Sequence, residues 1–222
     1  RDKSVAYDFV SYVSRTVTVN RYAVPESQLS TLRQLSDAAW RGKVAMQDPR
    51  FASGGAGVMA VWLVDKGEDS VRTFLRDQQP VITRDNRQLA EWVVRNQYPV
   101  GIAVSVSTLA ELSKSGLDLK AVKPLIDDDP GSVKLSHASG GVGLINKAPH
   151  PNAARVLINW LLSTEGQTVY AKETGYNVRR LDAPVADPDS ALDPAKRYVE
   201  VQDEEHIDAQ VRASAIAQEV LK

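Results

Sequence analysis

The stretch "KVAMQDPRFASGGAGVMAVWLVDKG", Lys43 to Gly67, decides how the chain is read. "KVAMQD", Lys43 to Asp48, reads as a buried strand, and Pro49 ends it because proline brings no N–H to a ladder. The small residues "SGGAG", Ser53 to Gly57, lead into "VMAVWLVDK", apolar nearly all round until Gly67 stops it. This predicts a helix buried on both sides, with a strand as the alternative for so short a run.

Working outward, the same alternation repeats. Upstream, "VAYDFVSYVSRTVTV" (Val5 to Val19) is rich in β-branched and aromatic residues and predicts two strands meeting near Ser14. Asn20 to Ser27 is loop, and "STLRQLSDAAW" is a short helix capped by Ser30, with Leu32 and Leu35 on one face. Downstream, Asp69 caps the amphipathic "SVRTFLRDQ", "PVIT" is a strand, and Asn86 caps "RQLAEWVVRNQ" with Leu89, Trp92 and Val93 on its apolar face. "YPVGIAVSV" is a buried strand and Thr108 caps "LAELSKSG". Strand and helix alternating at about ten to fifteen residues predict an open α/β fold with a mainly parallel sheet.

"DDDPG", Asp127 to Gly131, interrupts the pattern, and "GGVGLIN" returns as an apolar strand. In "APHPNAARVLINWLLS", Pro149 and Pro151 stiffen the entry, His150 or Asn152 caps, and Ala154, Leu157, Ile158 and Leu161 form a stripe expected to be buried. A Pro- and Asp-rich segment precedes a last helix carrying Ile207, Val211, Ile216 and Val220.

Composition narrows the function. The 222 residues are 43% apolar, enough for a sizeable core. With 27 basic against 28 acidic residues, no cationic excess points to nucleic acid or an anionic membrane. The absence of cysteine removes thiol nucleophiles, thiolate metal sites and disulfides. The longest apolar runs, such as Val156 to Leu162, fall short of the roughly twenty residues that span a bilayer. The sequence opens at Arg1 without initiator Met or signal peptide, as expected of a processed product or a fragment.

Three stretches offer chemistry. A strand followed by "SGGAG" and a helix start exposes unpaired backbone N–H groups, so Ser53, Gly54 and Gly55 are candidates for an anion, with a tight strand-to-helix turn as the alternative. No Gly-Lys-Ser/Thr follows, and the spacing is not that of the dinucleotide fingerprint. In "TRDNRQ", Arg84 lies between a strand end and a helix start, where it would clamp a carboxylate or phosphate or else stay solvated. In "VSVST", Ser105 and Ser107 offer hydroxyls. His137, His150 and His206 show no metal-ligand spacing, and Asp127 to Asp129 and Asp203 to Glu205 read as solvated charges. No nucleophile is paired with a base, and the four tryptophans read as packing residues.

Three longer stretches, "WRGKVAMQDPRFASGG" (Trp40 to Gly55), "TRDNRQLAEWVVRNQYPVGIAV" (Thr83 to Val104) and "GGVGLINKAPHPNAARVLINWLLSTEGQTVYAKETGYNVRR" (Gly140 to Arg180), carry a resemblance. In order and spacing the chain resembles the bacterial extracellular solute-binding proteins that feed ABC importers, in the branch related to periplasmic ferric-ion-binding proteins.

The resemblance implies a type II periplasmic binding fold: two α/β lobes, crossing segments near Arg15 to Asn20 and Ser132 to Gly141, and ligand in the cleft. Residues 1–19 would lead into the hinge, 20–134 form the second lobe, and 135–222 hold the return crossing and the C-terminal part of the first lobe. The family carries about a hundred residues before the equivalent of Arg1, so the first lobe is expected to be incomplete here. Ferric-binding relatives place adjacent tyrosines where this sequence has Val106 and Ser107, which argues against iron held by a tyrosine pair.

The expectation is a non-enzymatic, monomeric periplasmic protein without cofactor. It would bind a small anion through Ser53, Gly54, Gly55, Arg84, Ser105 and Ser107 and deliver it to an ABC permease in the inner membrane, with no nucleic-acid partner. A ferric-ion-binding protein of the same family and a phosphate-handling enzyme on a similar fold are the alternatives.

Overall fold

A computed structural model describes residues 6–10, 12–136, 141–193, 195–201 and 204–221. In chain order these form β1 (Ala6–Asp8), β2 (Tyr12–Arg15), β3 (Val17–Asn20), β4 (Val44–Gln47), α1 (Gly54–Lys66), α2 (Glu68–Gln78), β5 (Val81–Thr83), α3 (Asn86–Val94), β6 (Val100–Ile102), α4 (Val106–Lys114), β7 (Val122–Pro124), β8 (Val133–Ser136), β9 (Gly141–Gly143), α5 (Pro151–Leu161), α6 (Thr164–Thr174) and α7 (Ala209–Val220). Of the sequence candidates, His137 and Asp203 lie outside the described residues.

The chain divides into two compact units. The first comprises Arg1–Ser14 and Leu135–Lys196, the second Arg15–Lys134 and Arg197–Lys222. The resemblance implies that 135–222 hold the return crossing and the C-terminal part of the first lobe; α7, at the end of that range, packs against α1 and α2 in the second unit. Its buried face is Ile216 with Ala209, Ala213 and Ala217, small residues that let it approach α1 closely, while Val211 on the same helix is exposed and Ile207 lies ahead of it.

The second unit is built on a five-stranded sheet ordered β5-β4-β6-β3-β7. β4 runs parallel to β5 and β6, so the expected parallel arrangement holds at the centre. β3 pairs antiparallel with both β6 and β7, and the sheet is therefore mixed. Helical crossovers impose parallel pairing only on the strands they connect, and β3 enters ahead of the first of them.

Strand periodicity splits the core between the two faces. Val44 and Met46 of β4 join Val100 and Ile102 of β6 beneath α1, α2 and α7, in a cluster that includes Met59, Trp62, Phe74 and Ile216. Ala45 points the other way, into a cluster with Leu89, Ala90, Val93 and Leu112 of α3 and α4. A Cβ on Gly101 would fall 2.6 Å from Val93 Cγ2, so α3 sits directly on that strand. Covered by sheet on one side and α7 on another, α1 is buried without interruption from Gly55 to Trp62, as its sequence predicts.

Local boundaries differ from the reading where short polar side chains decide them. The segment after Ser30 forms two 3-10 turns, Leu32–Ser36 and Ala38–Trp40, the first capped by Thr31 with Gln34. α2 starts directly after Gly67, at Glu68, rather than at an Asp69 cap. Asp85, not Asn86, caps α3 by accepting from the N–H groups of Arg87 and Gln88. Ser105, not Thr108, caps α4, so β6 ends at Ile102. The acids of "DDDPG" are bonded: Asp127 Oδ2 accepts from Leu32 N–H at 2.6 Å, and Asp129 pairs with Lys66 at 2.7 Å.

In the first unit β1 and β9 pair antiparallel, Val10 bridges Val178, and Phe9 meets Tyr170 edge-on at 5.0 Å. α5 packs on α6, which Ser163 caps. The expected buried stripe of α5 is not buried. Leu157 and Trp160 are exposed, and Ala154, Ile158 and Leu161 are half-buried, because α6 covers only part of that face. His150 occupies the cap position of α5 without a side-chain bond.

Candidate functional site

Because β4, β5 and β6 are mutually parallel, their C-terminal ends, Gln47, Thr83 and Ile102, lie on one edge of the sheet. Each strand feeds a helix whose N-terminus opens on that edge, the usual ligand side of an open α/β sheet.

At the end of β4, Asp48 is buried, and its N–H donates to Thr83 O at 2.8 Å, which ties the loops after β4 and β5 together. Arg50 Nε donates to Asp48 Oδ1 at 2.9 Å and Arg84 Nε to Oδ2 at 3.1 Å. Burial alone would push the Asp48 pKa up. Hydrogen bonds from the Arg50 side chain and backbone and from Arg84, with the Arg50 charge, outweigh it and hold the carboxyl below its ordinary value.

Arg84 is thereby aimed. Its guanidinium carbon lies 3.6 Å from the centroid of Phe51, a cation–π contact, while the side chain stays two-thirds exposed. Only Nε is bonded among the described residues, so both terminal nitrogens remain available as a fork for a carboxylate or phosphate.

The glycine-rich turn serves two purposes. Ser53 donates to Asp48 O at 2.6 Å and accepts from Ala56 N–H at 3.1 Å, so its hydroxyl is spent on capping α1. A Cβ on Gly55 would lie 1.9 Å from Gln47 O, which makes glycine a packing requirement there. Gly54 is exposed at the first turn, and its N–H and that of Gly55 have no partner among the described residues. Gln47 reaches across to donate to Asn86 Oδ1.

At the end of β6, Ala103 takes a positive φ of 61° and turns the chain toward Ser105. Its Cβ lies 3.3 Å from the point a Cβ on Gly54 would occupy, which places this loop against the start of α1. Ser105 accepts from Thr108 N–H and shares a hydrogen bond of 2.8 Å with Ser107, so that pair is joined at a helix cap. The structure thus brings the turn Ser53 to Gly55 and Arg84 to Asp48 and the end of β4, with Ser105 and Ser107 at the start of α4.

Sequence reasoning missed Asp48 and Phe51, which aim Arg84. Both lie in the opening stretch, and an acid and an arginine two apart just past a strand end were the available signal. Of the described histidines, His150 belongs to the first unit, and His206 Nδ1 lies 3.0 Å from Glu200 O. Among the described residues no three His, Asp or Glu side chains are grouped to hold a metal.

A family model described as bacterial extracellular solute-binding protein matches residues 4–177. Among solved structures, iron-bound HitA from Pseudomonas aeruginosa is similar with a TM-score of 0.72 at 21% identity, over 97% of this chain and 69% of that one. The ferric binding protein from Campylobacter jejuni follows at TM-score 0.71 and 14% identity, over 99% and 71%. The periplasmic binding protein AfuA from Actinobacillus pleuropneumoniae, solved with fructose-6-phosphate bound, gives 0.62 and 18%, over 98% and 66%. These likenesses share the type II periplasmic binding architecture.

Proposed function

This chain belongs to the bacterial extracellular solute-binding protein family, and from that premise we propose that its second unit captures a small anion where α1 begins, for delivery to an ABC permease. The work is binding without turnover, outside the cytoplasm. No described helix is long and apolar enough to cross a membrane.

The observation that carries this reading is the preset Arg84. Asp48 holds Nε, Phe51 supports the guanidinium, and Asp48 O also accepts from Ser53, the cap of α1. A guanidinium fixed before the ligand arrives loses less side-chain freedom on binding. Helix N-termini attract negative charge through their unpaired N–H groups and dipole. Fork and helix start, both tied to Asp48, are the two parts of the site we assign to one anionic group. Ser105 and Ser107 contribute from the start of α4, whereas Ser53 and Gly55 shape the turn.

Calorimetry with inorganic phosphate and with formate tests the reading. The protein is expected to bind at least one of them, and Arg84→Ala to weaken that binding by roughly 2–3 kcal/mol, the scale of a charge-assisted fork. Folding is expected to be retained because the side chain is two-thirds exposed. Unchanged affinity in the variant removes Arg84 from the site, and no binding of any small anion overturns the reading.

A further inference from the structure

A part-open cavity of about 260 Å³ lies in the second unit, between the 3-10 turn Leu32–Ser36, the C-terminal half of α1, the start of α2 and the segment ahead of β8. Trp62 and Lys66 line it from α1, which at 1.5 Å per residue puts it about 12–18 Å along that helix from Gly54 and the strand-end edge. Its floor is apolar: Leu32, Leu35, Trp62 and Phe74 are all buried, and the two rings meet edge-on at 4.9 Å. The Trp62 Nε1–H already donates to Gly131 O at 2.8 Å, so the indole offers an occupant ring carbon and no donor.

The rim is polar, and its groups are not equally engaged. Lys66 stands between Asp65 and Asp129 at 3.1 and 2.7 Å, so its charge is balanced. Asp129 also accepts from the Gly131 N–H at 2.8 Å. Arg33, by contrast, is exposed and has no partner among the described residues, and neither do the hydroxyls of Ser36 and Ser70. The unpaired charge on this rim is therefore positive, and the free hydroxyls beside it can donate to the same ligand.

We propose that this cavity is a second small-molecule site, taking a monocarboxylate with a single apolar ring, its ring against Trp62 and Phe74 and its carboxylate on the Arg33 guanidinium. The size fits that class: an engineered apolar cavity of about 150 Å³ holds benzene, so 260 Å³ accommodates one ring with a short polar substituent. An apolar floor with a few convergent polar groups is the ordinary composition of a ligand pocket. The floor gives an inorganic anion nothing in return for its lost hydration, whereas one unpaired guanidinium grips one carboxylate through two parallel hydrogen bonds. The site does not depend on the anion-binding reading at Arg84.

The test is an NMR titration of the isotope-labelled protein with benzoate, followed at the indole N–H signal of Trp62, which Trp62→Phe identifies. In the wild type that signal is expected to shift saturably, with a Kd of about 1 mM or tighter. Arg33→Gln is expected to weaken benzoate by about tenfold while benzyl alcohol, the same ring without the charge, stays within about twofold. Folding is expected to be retained because Arg33 is exposed. Ser70→Leu fills the cavity from α2 and is expected to abolish the shift with either probe. Arg84→Ala is expected to change nothing; loss of the shift in that variant assigns benzoate to the strand-end edge and overturns the cavity site. No saturable shift below about 10 mM benzoate overturns the proposal, as does benzoate affinity equal to wild type in Arg33→Gln or in Ser70→Leu.

Discussion

The guanidinium of Arg84 is aimed by a residue 36 positions earlier: its Nε donates to Asp48 Oδ2 at 3.1 Å, on a carboxylate whose other oxygen is held by Arg50 at 2.9 Å. The pair fastens the loop after β5 to the loop after β4. Asp48→Asn keeps the volume and weakens both arginine contacts. It is expected to lower stability at pH 7 by about 1–3 kcal/mol in urea unfolding.

The same carboxylate gives an acid dependence with a defined sign. Its folded pKa lies below the ordinary 3.8, so its contribution is fully present above that value and is lost as pH falls from it through the folded value. Asp48→Asn lacks that contribution at every pH. The difference in urea midpoint between wild type and variant is therefore expected to be widest at pH 7 and to narrow at about pH 3. A constant difference would assign the effect to packing alone.

Two neighbouring glycines are expected to respond differently to alanine. At Gly55 the new Cβ meets backbone, Gln47 O at 1.9 Å, so β4 or α1 must move, at about 1–3 kcal/mol or more. At Gly54 the nearest atom is the Gln47 side-chain tip at 2.6 Å, which can swing aside, and alanine gains some helix propensity. Urea midpoints are expected to rank wild type and Gly54→Ala together, well above Gly55→Ala.

Gly131 O accepts from two buried donors, Trp62 Nε1 at 2.8 Å and Thr16 Oγ1 at 2.9 Å. Either Trp62→Phe or Thr16→Val leaves it one partner, and each is expected to cost about 1–2 kcal/mol. Together they orphan the carbonyl. A double-mutant cycle is expected to give a loss larger than the sum by about 1 kcal/mol, and strict additivity would contradict shared satisfaction of that oxygen.

On the surface, Glu68 accepts from Arg72 on its own helix and from Arg212 on α7. Glu68→Gln is expected to lower the thermal midpoint at low salt, with the difference shrinking in molar salt, because exposed pairs are screened. A salt-independent difference would point to packing of α2 on α7 instead.

Much of the scaffold was legible because periodicity is local. The apolar run of α1 predicts burial over most of its length, and "KVAMQD" predicts a buried strand that the structure forms over Val44–Gln47. The caps were misplaced at α3 and α4 because several Ser, Thr, Asp and Asn residues stand in a row, and backbone direction decides which one reaches the free N–H groups. The stripe on α5 has the right period, yet period states which face is apolar and not what covers it.

The alternating α/β elements, the glycine-rich turn and an arginine at a strand end are readable locally, since each depends on residues within a few positions of one another. Long-range packing is what sets β3 antiparallel, closes α7 over α1 and makes Asp48 rather than solvent the partner of Arg84. Those relationships join residues dozens of positions apart, and they exist only once buried apolar area and hydrogen-bond satisfaction have fixed which strand ends share an edge.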